Sequence, residues 1–393
     1  MGAFEQAKRL SLDRGARARE LAAQGVKTIG YFCAFPPVEL ITAAGLMPFR
    51  ITGSPEPRLG GAAADECLET QMCPFVRSAF DLARQGRFNF LAGMVWPHSC
   101  DNVQKTFDVW KHYLPAPLFH YLDVPHMTDP SSFEFFTAEL HNLKTALEHF
   151  TGAPITAAAL AAAIAEHNRL RGLLRELSAL RKPDPPLLFA AEMMEVMLAV
   201  MSLPVIEAIA LVSEAIAEAR TRESRLAPNR PRLLVYGSEL DNPALFDQLE
   251  QAGAHVVIED LCVGSKTWLH DVNISRTDIP VGPPTMDDLL AGLADYYLDR
   301  ITCPRTFHSS AGTGRNLDVR FQYLRDLARD YRVSGAVLYV LMYCDTFEFD
   351  VPDVKDYLEA AGVPCLHLED DYRLSNQEAI KTRIEAFLEV IEK

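Results

Sequence analysis

Apolar residues along this chain follow two alternating rhythms: short continuous runs, and longer stretches with apolar positions about three or four residues apart. A short run bounded by turn residues reads as a buried strand, and the wider spacing as one face of a helix. TIGYFCAF passes through the helical PPVELITAAG to MPFRIT, and FLAGMVWPHSC passes through NVQKTFDVWKHYL to LFHYLD. The scheme returns in RLLVYGSELDNPALFDQLEQAGAHVVIEDLC, and again where GAVLYVLMYC leads through VKDYLEAAG to PCLHLED. EAIKTRIEAFLEVIEK then reads as a closing amphipathic helix. Strands alternating with helices predict βαβ crossovers and parallel sheets.

Between these units the texture is purely helical. ITAAALAAAIAEHNRLRGLLRELSALR follows Thr151 and Thr156, either of which suits a helix start, and Pro183, Pro185 and Pro186 stop the run. A second helical pair spans 187–225, broken near Pro204, and PNRPR marks a boundary. The expected fold is α/β: two doubly wound, Rossmann- or flavodoxin-like parallel-sheet domains with a helical region between them. The expected divisions are an N-terminal helical segment 1–26, α/β domain one 27–128, a helical region 129–229 and α/β domain two 230–393.

A length of 393 residues exceeds one ordinary domain, and 49% hydrophobic with 23% charged residues is the balance of a globular protein. The net charge of -15 argues against nucleic acid, because displacing counterions from a phosphate backbone needs a basic patch. An anionic small ligand stays open, since local arginines or helix N-termini bind phosphate within an acidic surface. MGAFEQAKRLSLDRGARARE lacks the apolar core of a signal peptide. The most apolar stretch, 187–212, is interrupted by Glu192, Glu195, Pro204 and Glu207, so no membrane span of about 20 residues is expected. The expected location is cytoplasmic.

The eight cysteines are Cys33, Cys67, Cys73, Cys100, Cys262, Cys303, Cys344 and Cys365, with neither CxxC pairs nor zinc-finger spacing. Doubly wound sheets bind ligands beyond the carboxyl ends of their strands, and that rule sorts them. Cys100 ends one strand run and Cys344 another, each followed by aspartate and a helix; Cys73 precedes Pro74, which suits a first helical turn. A helix N-terminus lowers a thiol's pKa toward the metal-binding thiolate. The plain alternative for any one of them is a small buried hydrophobe. Three thiolates with one open position suit a chemically active [4Fe-4S] cluster, although spacing alone does not establish it. Cys67, Cys262 and Cys303 are possible additional ligands, whereas Cys33 and Cys365 sit inside apolar strand patterns and read as core.

Other chemistry is sparser. GTGR at 312–315 follows no strand and reads as a loop, and no Walker motif is present. His98, with His120 and His126 nearby, and Glu39, early in the first crossover helix, are weak catalytic candidates beside the ordinary reading of solvated strand-end and helix-start groups.

Five segments resemble one family along almost the whole chain: GYFCAFPPVELITAAGLMPFRITG, CPFVRS, SCDNVQKTFDVWK, YCDTFEFDVPDVKDYLEAAGVPCLHLEDDY and TRIEAFLE. The family is that of the 2-hydroxyacyl-CoA dehydratase and benzoyl-CoA reductase iron-sulfur subunits. The resemblance implies that Cys73, Cys100 and Cys344 ligate a [4Fe-4S] cluster. It also implies a paralogous iron-sulfur subunit as partner, in a heterodimer, and an ATP-hydrolysing iron-sulfur activator as electron donor. The implied chemistry is delivery of a low-potential electron to an acyl-CoA thioester, giving a ketyl radical anion. WPHSCD and EHNRLRGLLRELSALR lean toward the benzoyl-CoA reductase type; the alternatives are a 2-hydroxyacyl-CoA dehydratase subunit or a homodimeric reductase of small molecules carrying a double-cubane [8Fe-9S] cluster. Six cysteines serve that last cluster, and Cys67, Cys73, Cys100, Cys262, Cys303 and Cys344 make up that number.

Overall fold

The computed structural model describes residues 1–54, 62–274, 283–308, 317–372 and 377–391, so the GTGR loop lies outside the described residues. Eight strands form two sheets. The first contains β1 (Thr28–Tyr31), β2 (Met47–Arg50), β3 (Leu91–Pro97) and β4 (Leu118–Leu122), all parallel in the order β2-β1-β3-β4. The second contains β5 (Arg232–Gly237), β6 (His255–Asp260), β7 (Gly335–Leu341) and β8 (Cys365–Asp370), parallel in the order β6-β5-β7-β8. This is the expected α/β class, and each order is of the flavodoxin-like kind. The winding direction reverses between β1 and β3 and between β5 and β7, which opens a crevice beyond their carboxyl ends.

The helices form where the pattern places them. Thr156 caps the helix Ala157–Ala179 by accepting the Ala159 N–H, whereas Thr151 closes the preceding helix Pro130–Thr151. Helices Ala190–Val200 and Val205–Thr221 flank Pro204, which cannot continue a helix interior but suits its start. Among the described residues no helix is long and apolar enough to cross a membrane.

One face of the first sheet, through Ile29 and Val95, packs on Phe136 and Leu140, on Leu160 and on Leu289 of the helix Met286–Asp295. That helix follows β6 in the chain yet covers the first sheet. The opposite face carries Phe32, Trp96 and Trp110 in a cluster with ring centroids 4.7 to 5.5 Å apart, worth about 0.5–1.5 kcal/mol per pair beyond area burial. This core continues without a break into Val235 of β5 and Val337 of β7, so the two sheets share it. At the end of β5 the backbones close tightly, and a Cβ on Gly237 would stand 1.8 Å from the Tyr339 carbonyl oxygen. Only glycine fits there.

Candidate functional site

The carboxyl ends of both sheets look into one cavity. Its wall takes Cys33 from beyond β1, Cys100 from beyond β3, Cys262 from beyond β6 and Cys344 from beyond β7, together with Cys73 and Cys303. None of the six is in a disulfide.

Three of these cysteines stand at helix starts. Cys73 precedes Pro74–Arg84, Cys100 precedes Asp101–Tyr113 and Cys344 precedes the short turn Asp345–Glu348. Asn102 clamps them together: its Oδ1 accepts the Cys73 N–H at 3.0 Å, and its Nδ2 donates to the Tyr343 carbonyl at 3.2 Å. Each sulfur also lies near amides of its own helix, from Phe75 and Val76, from Val103 and from Phe347.

The other three sit on irregular backbone. Cys33 adopts a left-handed φ of 57° just past β1, with Sγ 3.0 Å from Ser99 Oγ. Cys262 N–H points toward the Ser238 carbonyl, and Cys303 follows the Tyr296–Arg300 turn. Cationic side chains gather on this side. Lys266 and Arg305 line the cavity, as does Glu239, which binds the buried Arg50 through both oxygens at 2.9 and 3.1 Å. Lys266 is paired in turn with the buried Asp260.

Burial pushes all six thiols up, Cys33 to about 11 and Cys73 to about 12, with Cys100, Cys262, Cys303 and Cys344 shifted the same way. Mutual repulsion adds to this across the whole set: Cys344 feels Cys73, Cys100 and Cys303, Cys100 feels Cys33, Cys73 and Cys303, and Cys262 feels Cys303 and Cys33. Neutral thiols so placed become thiolates only with a compensating cation, which is what a metal-sulfur group provides. Thiols on one shared wall are the donor chemistry that a thiolate-ligated iron-sulfur group takes.

A family model for 2-hydroxyglutaryl-CoA dehydratase, D-component, matches residues 33–391. The chain belongs to this family. A benzoyl-CoA reductase subunit of Thauera aromatica is 26% identical over 372 residues, covering 93% of this chain and 91% of the relative. The putative dehydratase subunit YjiM of Escherichia coli K12 is 26% identical over 385 residues, covering 95% and 93%. The (R)-phenyllactyl-CoA dehydratase beta subunit of Clostridium sporogenes is 24% identical over 368 residues, covering 93% and 92%. Membership in the 2-hydroxyglutaryl-CoA dehydratase family makes the chain an enzyme subunit.

The remaining candidates of this dehydratase-family chain lie elsewhere. Cys67, a possible ligand by sequence, ends the helix Ala62–Cys67 beside Tyr113 and does not line the cavity. Cys33, which reads as core in the sequence, takes its place there, because β1 stops at Tyr31 and the chain turns before Phe35. Cys365 opens β8 at the opposite end of the sheet, half-buried against the core. Glu39 is neither solvated nor in the cysteine cavity: it is buried, bonded to Tyr297 at 2.7 Å and paired with Arg171. Burial alone would raise its pKa, but Arg171, His167 and the Tyr297 hydroxyl outweigh it and hold the carboxyl below its usual range. His98 donates from Nδ1 to the Asp123 carboxylate at 2.7 Å, and its neighbour Ser99, not the imidazole, reaches the cavity. Asn102, Arg305, Lys266 and the Arg50–Glu239 pair are site residues that the sequence pattern does not single out. A polar residue two positions after a candidate cysteine, as in SCDN and TCPR, is the available signal for the first two.

Proposed function

We propose that this chain is the cluster-holding subunit of a low-potential one-electron reductase, with all six cavity cysteines as ligands of a double-cubane [8Fe-9S] group. The observation that carries this reading is that six unbridged thiols, three from each of two neighbouring sets, face a single cavity. Cys73, Cys100 and Cys344 would hold one half, and Cys33, Cys262 and Cys303 the other. When bound, such a group supplies single electrons at low potential.

The chain's own residues supply the rest. Phe35, Phe75, Val103 and Phe347 make the cavity wall apolar and keep water from the sulfurs. Asn102 fixes the helix starts relative to one another. A second, adjoining cavity shares Ala34 and Ile301 with the first, against a wall that includes Met197, Val200 and Leu203, and is the place for the electron acceptor in this reading. A separate ATP-hydrolysing iron-sulfur protein as donor completes the reading, since the sequence carries no phosphate loop of its own.

A second reading keeps a single [4Fe-4S] cluster on Cys73, Cys100 and Cys344, with a paralogous subunit as partner and an acyl-CoA thioester as substrate, as in a benzoyl-CoA reductase or 2-hydroxyacyl-CoA dehydratase. The Asn102 clamp, which ties only those three cysteines, favours it. It leaves three thiols of the same cavity without a role, and for that reason ranks second.

Iron and acid-labile sulfide per chain, measured on protein isolated without oxygen, test both. About eight iron supports the double cubane and about four the single cluster. Protein that folds with no iron, and takes up none on anaerobic reconstitution, overturns both.

A further inference from the structure

Arg305 presents a buried guanidinium with no carboxylate in ion-pair contact among the described residues. It is 7% exposed, and Nη1 and Nη2 donate to the backbone carbonyls of Pro125 and Val124 at 2.8 and 2.7 Å. Its Nε is buried with no hydrogen-bond partner, and among the described residues no carboxylate pairs with it. The other two cations of this side differ, because Arg50 is matched by Glu239 and Lys266 by Asp260. A buried charge left uncompensated is strongly unfavourable, so proteins place an anion beside it. The position is fixed from both sides: the guanidinium carbon lies 5.0 Å from the centre of the Phe35 ring, and the carbonyls hold the outer nitrogens. Arg305 stands on the wall of the cavity that also holds Cys33, Cys100 and Cys303. Burial pulls its pKa down, and Cys303, Cys33 and Cys100, were they ionised, would pull it back up, with a smaller contribution from the more distant Asp123.

We propose that Arg305 is the built-in counter-charge of the anionic sulfur group in this cavity, raising its reduction potential on the Cys33–Cys303 side. Cluster potentials respond to net charge and to hydrogen bonds on sulfur, and a fixed cation favours the state that carries the added electron. The electron would therefore rest on the cation-lined half, beside the second cavity that shares Ala34 and Ile301. This inference rests on the iron-sulfur reading above.

The test compares Arg305→Met and Arg305→Lys with the unaltered chain, by iron content and by a redox titration followed by electron paramagnetic resonance. The expected result is that Arg305→Met retains its iron but shows about a tenfold lower ratio of reduced to oxidised cluster at a fixed potential, equivalent to about 59 mV for one electron. Arg305→Lys should stay close to the unaltered midpoint. If Arg305→Met loses iron while Arg305→Lys keeps it, the charge is needed to hold the anion at all, and the proposal stands. An unchanged midpoint in iron-loaded Arg305→Met overturns it, and so does loss of iron from both variants, which would make the side chain a structural tie. Absence of iron from the unaltered chain would instead remove the iron-sulfur reading itself.

Discussion

The two halves of the cysteine cavity are built by different means. Cys73, Cys100 and Cys344 sit at helix starts, where amides of the first turn face the sulfurs and Asn102 joins the segments. Cys33, Cys262 and Cys303 sit on irregular backbone, among Arg50, Lys266 and Arg305 brought from distant parts of the chain. One half is preorganised by local backbone dipoles and the other by tertiary placement of full charges. Amides lower the cost of a thiolate modestly and wherever a helix begins; buried cations do more, but each needs its own partner. The first device is local and robust, and the second ties the environment of the thiols to the packing of both sheets.

The largest expected effect comes from substituting the thiols themselves. Cys100→Ser or Cys344→Ser should remove at least the iron of the helix-start half, and Cys33→Ser, Cys262→Ser or Cys303→Ser that of the cation-lined half, taking iron from about eight to about four or fewer. Iron analysis of the five variants decides the matter. Should the last three retain all the iron and the visible spectrum of the unaltered chain, only the helix starts bind, and the equivalence of the halves is broken.

Next in size is the charge framework. Glu239→Ala leaves Arg50 buried without its acid, and breaking such a pair costs about 3–5 kcal/mol. Denaturant unfolding of the metal-free chain should show this loss. A cost below about 1 kcal/mol would mean that water already reaches Arg50 and that the cation side is far less dry than its burial indicates.

An acid outside the cavity sharpens the same contrast. Glu250 is partly buried and accepts the Ala190 N–H at 3.0 Å, and burial pushes its pKa up to about 7. Unfolded, it releases its proton near 4.5, so between about pH 4.5 and 7 the folded chain binds more protons and stability falls as pH rises. Glu250→Gln cannot ionise and should stabilise the chain by up to about 3 kcal/mol near pH 8, with the gain disappearing toward pH 4.5. Thermal melts at the two pH values check this. An equal gain at both would show that ionisation of Glu250 is not what costs stability.

The difference between the halves also explains what could be read from the sequence. The βαβ rhythm marks the strands, and Pro74, Asp101 and Asp345 announce helix starts next to Cys73, Cys100 and Cys344, because capping signals are local. Cys33 is hidden because TIGYFCAF reads as one apolar run, whereas β1 ends at Tyr31 and the chain turns through a left-handed residue. The two prolines after CAF are the sign that the strand has stopped. Arg305, Glu239 and Lys266 carry no periodic signal, and only the meeting of the two sheets places them together. The helix Met286–Asp295 is a further case: its amphipathic pattern names a buried face but not which sheet that face meets.

The smallest expected effect is at Cys67, and it bears directly on how the halves pair. Cys67 lies six residues before Cys73, which makes it the natural sixth ligand in the sequence. The helix Ala62–Cys67 instead sets its thiol beside the exposed Tyr113, outside the cavity. Cys67 is half-buried against the edge of the core, and serine keeps its size and a hydrogen-bonding group there, so the cost should stay within about 1 kcal/mol. Cys67→Ser should therefore keep its iron, spectrum and melting temperature. A loss of iron from Cys67→Ser, with none from Cys33→Ser, would exchange the two residues and shift the sixth ligand from the cation-lined half to the segment that leads into the Pro74 helix. The contrast between amide-held and cation-held sulfurs would then fail, because four of the six thiols would belong to the helix-start side.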